Sequence, residues 1–136
     1  MRVTLTLKDR AAAYNTAFPK YPPLIVSQDG RWLYGIWMMG NNYRSKMGYY
    51  GEYPPGYLKR VHALFPDARR VLHLFSGKVQ KGFWPIEMTL DCNADLNPDI
   101  LQDAAALDLQ AMSSFDLVLA DPPYTQEDAM HYGVPL

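Results

Sequence analysis

Apolar residues along this chain fall into short runs separated by Gly, Pro and acidic positions. Residues 31–39 (RWLYGIWMM) are apolar, rich in strand-forming types, and predict one strand. There Trp32, Tyr34 and Ile36 alternate with Leu33, Gly35 and Trp37, the pattern expected of a buried strand. Residues 57–65 (YLKRVHALF) place Tyr57, Leu58, Val61, Leu64 and Phe65 at helical spacing, and Pro66 closes the predicted helix. Residues 71–75 (VLHLF) predict a buried strand ended by Ser76-Gly77, and residues 86–90 (IEMTL) a second ended by Asp91. Residues 98–107 predict a short strand followed by a turn or helical turn, and residues 115–120 (FDLVLA) give the clearest strand of all.

Several short apolar strands with polar residues at their carboxyl ends imply a parallel α/β sheet, which binds ligands beyond those ends. The link from the first of these strands to the second, Ser76 to Glu87, is only twelve residues long and carries Gly77, Gly82 and Pro85. That is close to the shortest parallel crossover and argues against a long helix there. Residues 21–24 (YPPL) read as an extended linker, and residues 40–56 as a long aromatic loop. A helix is expected to begin at 125–132 (TQEDAMHY), shortly before the chain stops. The strand at 115–120 would then form an exposed hydrophobic edge.

At 136 residues the chain fits one small domain, and 49% hydrophobic content with 13% aromatics suffices for a core. We divide it into an N-terminal extension, 1–66, and a sheet-bearing part, 67–136. No run approaches eighteen apolar residues, so no membrane span is expected, and MRVTLTLKDR lacks the apolar stretch of a secretory signal. The single cysteine, Cys92, permits no internal disulfide, and a reducing cytoplasmic setting is expected. His62, His73 and His131 show no metal-ligand spacing, so no metal site is predicted. The net charge of −1 conceals a strong polarity. All 13 Lys and Arg fall in residues 1–81 with four acids, giving +9, and residues 82–136 hold the other ten acids and no base. Either the front half meets a polyanion or the two halves attract each other. The aromatic loop from Tyr43 to Tyr57, with Arg44, Lys46, Lys59 and Arg60, suits unstacked nucleotides or, alternatively, rings packed over the sheet.

Candidate chemistry concentrates at Asp121-Pro122-Pro123-Tyr124, directly after FDLVLA. An exocyclic amino group such as N6 of adenine is a poor nucleophile because its lone pair is delocalised into the ring. An acceptor that holds the amino hydrogens turns that lone pair toward an electrophile. Asp121 and the Pro122 carbonyl can do so, the proline pair presents carbonyls in a stiff extended turn, and Tyr124 supplies a stacking ring. The bland alternative is an Asp-Pro turn after a strand.

With these residues in place, the chain from about Tyr49 onward resembles the class I S-adenosylmethionine-dependent methyltransferases of the Asp-Pro-Pro-Tyr, N6-adenine type. VLHLFSG (71–77) resembles the first strand and cofactor turn, MTLDCNAD (88–95) the second strand, ILQDAAAL (100–107) the third, and FDLVLADPPY (115–124) the fourth with the catalytic motif. YPPGYLKRV (53–61) resembles the preceding segment near the methionine end of the cofactor. The resemblance implies a Rossmann-like, mostly parallel sheet, incomplete, the front half of that fold with an N-terminal extension. It implies Asp121, Pro122, Pro123 and Tyr124 as catalytic residues. It implies Tyr53, Pro54, Phe75, Ser76, Gly77, Asp91 and Asp103 as cofactor-binding residues, with S-adenosyl-L-methionine as the cofactor and DNA or RNA as the partner. Asp91 suits a ribose diol or a strand-ending cap, and Asp103 an adenine amino group or a helix N-cap. Two positions depart from the family pattern: His73 stands where an acid is usual, and Val79 where a second glycine is usual. The family fold continues with further strands, so the sequence reads as a fragment or a half completed by a second copy or partner chain. The alternatives are a methyltransferase-like module without activity of its own, and a methyltransferase with a non-nucleic-acid acceptor.

Overall fold

Two stretches of the chain build the N-terminal unit. The computed structural model describes residues 4–38 and 53–120. These fall into one unit formed by 4–38 with 54–67, and a second formed by residue 53 with 68–120.

In the first unit, helix α1 (Leu7–Ala17) starts at a reciprocal cap. Thr6 Oγ1 accepts the Asp9 N–H and the Asp9 carboxylate accepts the Thr6 N–H, each at 3.1 Å. Strands β1 (Ile25–Val26) and β2 (Leu33–Tyr34) pair antiparallel, Ile25 opposite Tyr34 and Val26 opposite Leu33. Helix α2 (Tyr57–Leu64) follows the predicted spacing and ends before Pro66. Tyr14, Leu24 and Leu64 form the core, with Phe18, Leu33, Trp37 and Phe65 packed against it. The Asn15 amide both donates to the Leu24 carbonyl and accepts its N–H, at 3.0 and 2.8 Å. At Gly35 a Cβ would lie 2.4 Å from Leu24 Cδ2, so the bare backbone is what lets the chain pass over the core here.

Two buried arginines join α1 to the α2 segment. Arg10 makes a two-pronged pair with Asp67 at 2.7 and 2.9 Å and donates to the Leu64 carbonyl at 2.7 Å. Arg60 donates through Nε and NH2 to the Tyr14 hydroxyl, the former at 2.8 Å, and lies over the Tyr21 and Trp37 rings, 4.4 and 4.6 Å from their centroids. Its charge is thus removed from water but never left without partners.

The strand expected at 31–39 requires correction. Only Leu33–Tyr34 pair, and one face of this segment is open to solvent: Trp32 is 69% exposed, Tyr34 55% and Ile36 67%. Leu33 and Trp37 turn inward against the core, with Trp37 stacked on Tyr14 at 5.5 Å. A two-stranded hairpin covered on one face buries alternate residues only.

The second unit is a four-stranded parallel sheet: β3 (Arg70–Leu74), β4 (Ile86–Asp91), β5 (Ile100–Leu101) and β6 (Leu117–Ala120). The order is β5-β4-β3-β6, so its strands run third, second, first, fourth in chain order, the opening half of a doubly wound arrangement. Val71, Leu72 and His73 of β3 are buried, as a strand covered on both faces requires. Asp116 fastens β6 to β3, accepting the Arg69 and Arg70 N–H groups at 2.8 and 2.9 Å. As the glycines and Pro85 predict, residues 75–85 contain no helix. Helix α3 (Leu109–Ser113), capped by Asp108, precedes β6. The architecture is therefore mixed α/β with a parallel sheet, compatible with a partial Rossmann-like fold. Among the described residues no helix is long and apolar enough to cross a membrane.

Replacing Tyr14 by Phe removes the hydroxyl that receives Arg60 and leaves buried guanidinium N–H groups without that acceptor. We expect a loss of about 2 kcal/mol in unfolding free energy by urea titration. An unchanged midpoint and slope would show that the hydroxyl contributes nothing.

Candidate functional site

In a sheet of this order the chain leaves β3 toward β4 on one side and returns to β6 on the other. In such sheets ligands bind beyond the carboxyl ends of the strands where the connections diverge, which here are the ends of β3 and β6. Leu74 and Ala120 are register partners at those ends. Phe75-Ser76-Gly77 follows one of them and, in sequence, Asp121-Pro122-Pro123-Tyr124 follows the other. Residues 121–124 lie outside the described residues, as do 39–52 of the aromatic loop, the 125–132 segment and His131.

The turn after β3 is tightly held. Phe75 and Gly77 both have left-handed backbones, φ 53° and 52°. Glycine takes this conformation without cost, whereas Phe75 adopts it at about 1 kcal/mol or more of strain. The Ser76 N–H donates to the Leu90 carbonyl at 3.2 Å, and the Gly77 N–H to Asp91 Oδ2 at 3.0 Å. Ser76 is 1% exposed, and its Oγ has no hydrogen-bond partner among the described residues. A buried hydroxyl without a protein partner is uncommon.

Asp91 ends β4 and faces that turn. Its other oxygen accepts the Asn93 N–H at 3.0 Å, and the neighbouring Cys92 side chain also hydrogen-bonds the carboxylate, so Asp91 caps the strand end and braces the turn. Asp103 is exposed and accepts the Ala105 N–H at 3.0 Å, the cap of the Ala104–Ala106 turn. The structure thus brings Ser76, Gly77 and Asp91 together and gives Asp103 a local capping contact. Pro54 belongs to the other unit, where its carbonyl accepts the Tyr57 N–H at 3.0 Å.

Behind the turn lies a buried polar chain. The Tyr53 hydroxyl is 3.1 Å from His73 Nδ1, and His73 Nε2 is 3.0 Å from Glu87 Oε1. Glu87 Oε2 accepts the N–H groups of Gly82, Phe83 and Trp84 at 2.6, 3.0 and 3.3 Å. Burial pushes the His73 pKa down, against the opposing pull of the Glu87 hydrogen bond and charge, and Lys81 adds to the lowering. Burial alone would raise the Glu87 pKa. The backbone N–H groups and His73 together outweigh it, and the pKa is lowered. A neutral imidazole beside a carboxylate has one consistent arrangement: Nε2–H donates to Glu87, and the Tyr53 O–H donates to Nδ1.

His73 is therefore a structural residue with a specific task, and Glu87 is its missed partner. The signal in the sequence was a single acid inside the apolar run IEMTL. Asp99 was missed as well. It accepts from the Thr89 N–H at 2.9 Å and from Lys81 at 2.5 Å, fixing the approach to β5. Among the described residues no group of three His, Cys, Asp or Glu is placed to hold a metal ion. No protein-family model matches the chain, and no curated protein or solved structure matches it.

The pH dependence of folding follows from the buried chain. As pH falls through 6.5, the ordinary histidine value, the unfolded chain binds a proton that folded His73 refuses, so stability drops. The contribution of Glu87 is complete above its ordinary 4.5 and is lost as pH falls through its lower folded value. Denaturant titrations across this range should show both declines in the parent protein. In His73→Gln the decline that begins near 6.5 should disappear while the more acidic one remains. Persistence of both in the variant would exclude His73 as the source.

Proposed function

We propose that the chain carries the S-adenosylmethionine-binding and catalytic front half of a methyltransferase acting on an exocyclic amino group, N6 of adenine in nucleic acid. The observation that carries this reading is the register of β3 with β6. Leu74 opposite Ala120 means that a small-residue turn and an Asp-Pro-Pro-Tyr segment leave adjacent strand ends at the point where the sheet order reverses. The four strands of the family resemblance take the doubly wound order in this sheet.

The residues at the turn fit the cofactor. The Gly77 backbone carries no side chain to obstruct close approach, the Ser76 hydroxyl lacks a partner among the described residues, and the Asp91 carboxylate stands at the turn, where it can receive a ribose hydroxyl. When bound, S-adenosylmethionine supplies an electrophilic methyl group. Asp121 accepts a hydrogen from the substrate amino group, the Pro122 carbonyl accepts the other, and Pro123 stiffens the turn that presents them. Tyr124 stacks on the base. The amino lone pair is thereby freed from the ring and aimed, so that positioning carries the rate. The proton released on transfer leaves through the Asp121 carboxylate.

Calorimetry of the full chain with S-adenosylmethionine should give a saturable heat, and adenine-containing oligonucleotides should accept labelled methyl groups. Asp121→Ala should cut transfer by about 100-fold or more while leaving cofactor affinity unchanged. Absence of any binding heat at high protein concentration would refute the enzymatic reading, and full activity in Asp121→Ala would refute the assigned role.

A further inference from the structure

The outward face of the β1–β2 hairpin is an array of large side chains that no described element of its own unit covers. Tyr34 on β2 and Trp32 just before it are alternate, exposed positions, their Cα atoms roughly 7 Å apart. Ile36 continues the row, and Ile25 stands opposite Tyr34 on the neighbouring strand. The support beneath is stiff. Trp32 exchanges hydrogen bonds with Ser27, its carbonyl accepting the Ser27 N–H at 2.9 Å and its N–H reaching Ser27 Oγ at 3.1 Å. Asp29 holds the turn by accepting from the Ser27 hydroxyl at 2.6 Å and the Arg31 N–H at 3.1 Å. Below, Leu33 and Trp37 anchor the segment to the core. Rings on so ordered a base lose little conformational freedom on binding.

The charge of the unit selects among occupants. With Arg10 and Arg60 buried, the described charges that it exposes are four bases, Lys8, Lys20, Arg31 and Lys59, against two acids, Asp9 and Asp29. All three acids are engaged within the unit: Asp9 at the helix cap, Asp29 in the turn, Asp67 with Arg10. A symmetric pairing of two copies through this face would bring two such cationic units together. A polyanion with exposed ring faces satisfies both features.

The geometry points to a stacking platform for single-stranded nucleic acid on this hairpin, with Trp32 and Tyr34 each taking an unpaired base and the exposed Lys and Arg side chains of the unit attracting the phosphates. The platform belongs to the first unit, shares no residue with the turn at the strand ends, and does not rest on the methyl-transfer reading. An oligothymidine, which carries no amino group for methylation, is therefore the proper probe.

Fluorescein-labelled oligothymidine titrated with the full chain at low salt should show rising anisotropy, quenching of tryptophan emission, and weakening as salt is raised. Trp32→Ala and Tyr34→Ala should each weaken binding by about tenfold, and Trp32→Phe should retain most of it. The substituted side chains are exposed, and circular dichroism checks that the fold persists. No binding by the parent protein would overturn the proposal, as would equal affinity in the alanine variants. Sedimentation velocity supplies the other arm. A dimer of the parent protein that Trp32→Ala or Tyr34→Ala dissociates would assign the face to a second copy and overturn the nucleic-acid platform. Survival of platform binding with no methyl transfer would remove the enzymatic reading alone.

Discussion

The carboxylate of Glu87 holds the sheet unit together at its most demanding point. A parallel connection normally spans the sheet with a helix, whose backbone satisfies its own donors. Residues 75–85 have no helix. Glu87 Oε2 receives three consecutive N–H groups of that link, those of Gly82, Phe83 and Trp84. The same carboxylate neutralises the cost of enclosing His73, which in turn orients Tyr53. One ionised group thus shapes the loop, fixes the tautomer of a fully buried imidazole and sets the direction of a tyrosine hydroxyl. The short link remains compatible with the strand order because its polar backbone is organised from within the strand that it leads into.

What the sequence reveals is sorted by range. Strands β3, β4 and β6 and helix α2 were legible because each rests on a local run of apolar side chains. Helix α1 was not, because its exposed alanines blur the apolar stripe and its cap uses aspartate rather than the longer acid of the usual pair. Trp32, Tyr34 and Ile36 misled because a segment apolar on both faces looks doubly buried, whereas cover on either face comes from distant chain. Glu87 stood out only as an acid in an apolar run, and its partners, nearby loop amides and a histidine on the neighbouring strand, are not written in that run.

The candidate site divides in the same way. The Ser76-Gly77 turn and Asp91 could be read as a strand-end pair, and they are joined by a hydrogen bond. Asp103 shows how a carboxylate suited to a ligand also suits a cap one turn away. Charge counted along the chain likewise overstates what solvent meets, since Arg10 and Arg60 of the basic half are interior groups with aromatic and carboxylate partners.

Those two arginines also govern when the first unit is able to form. Arg10 waits for Asp67 and Leu64, and Tyr14 waits for Arg60. On a ribosome, α1 emerges long before either partner, and it must stay unclosed while the intervening half of the unit and the aromatic loop are made. The N-terminal unit is therefore a late product of synthesis despite its early position. Its folding is timed by the exit of residue 67, just ahead of the first strand of the sheet.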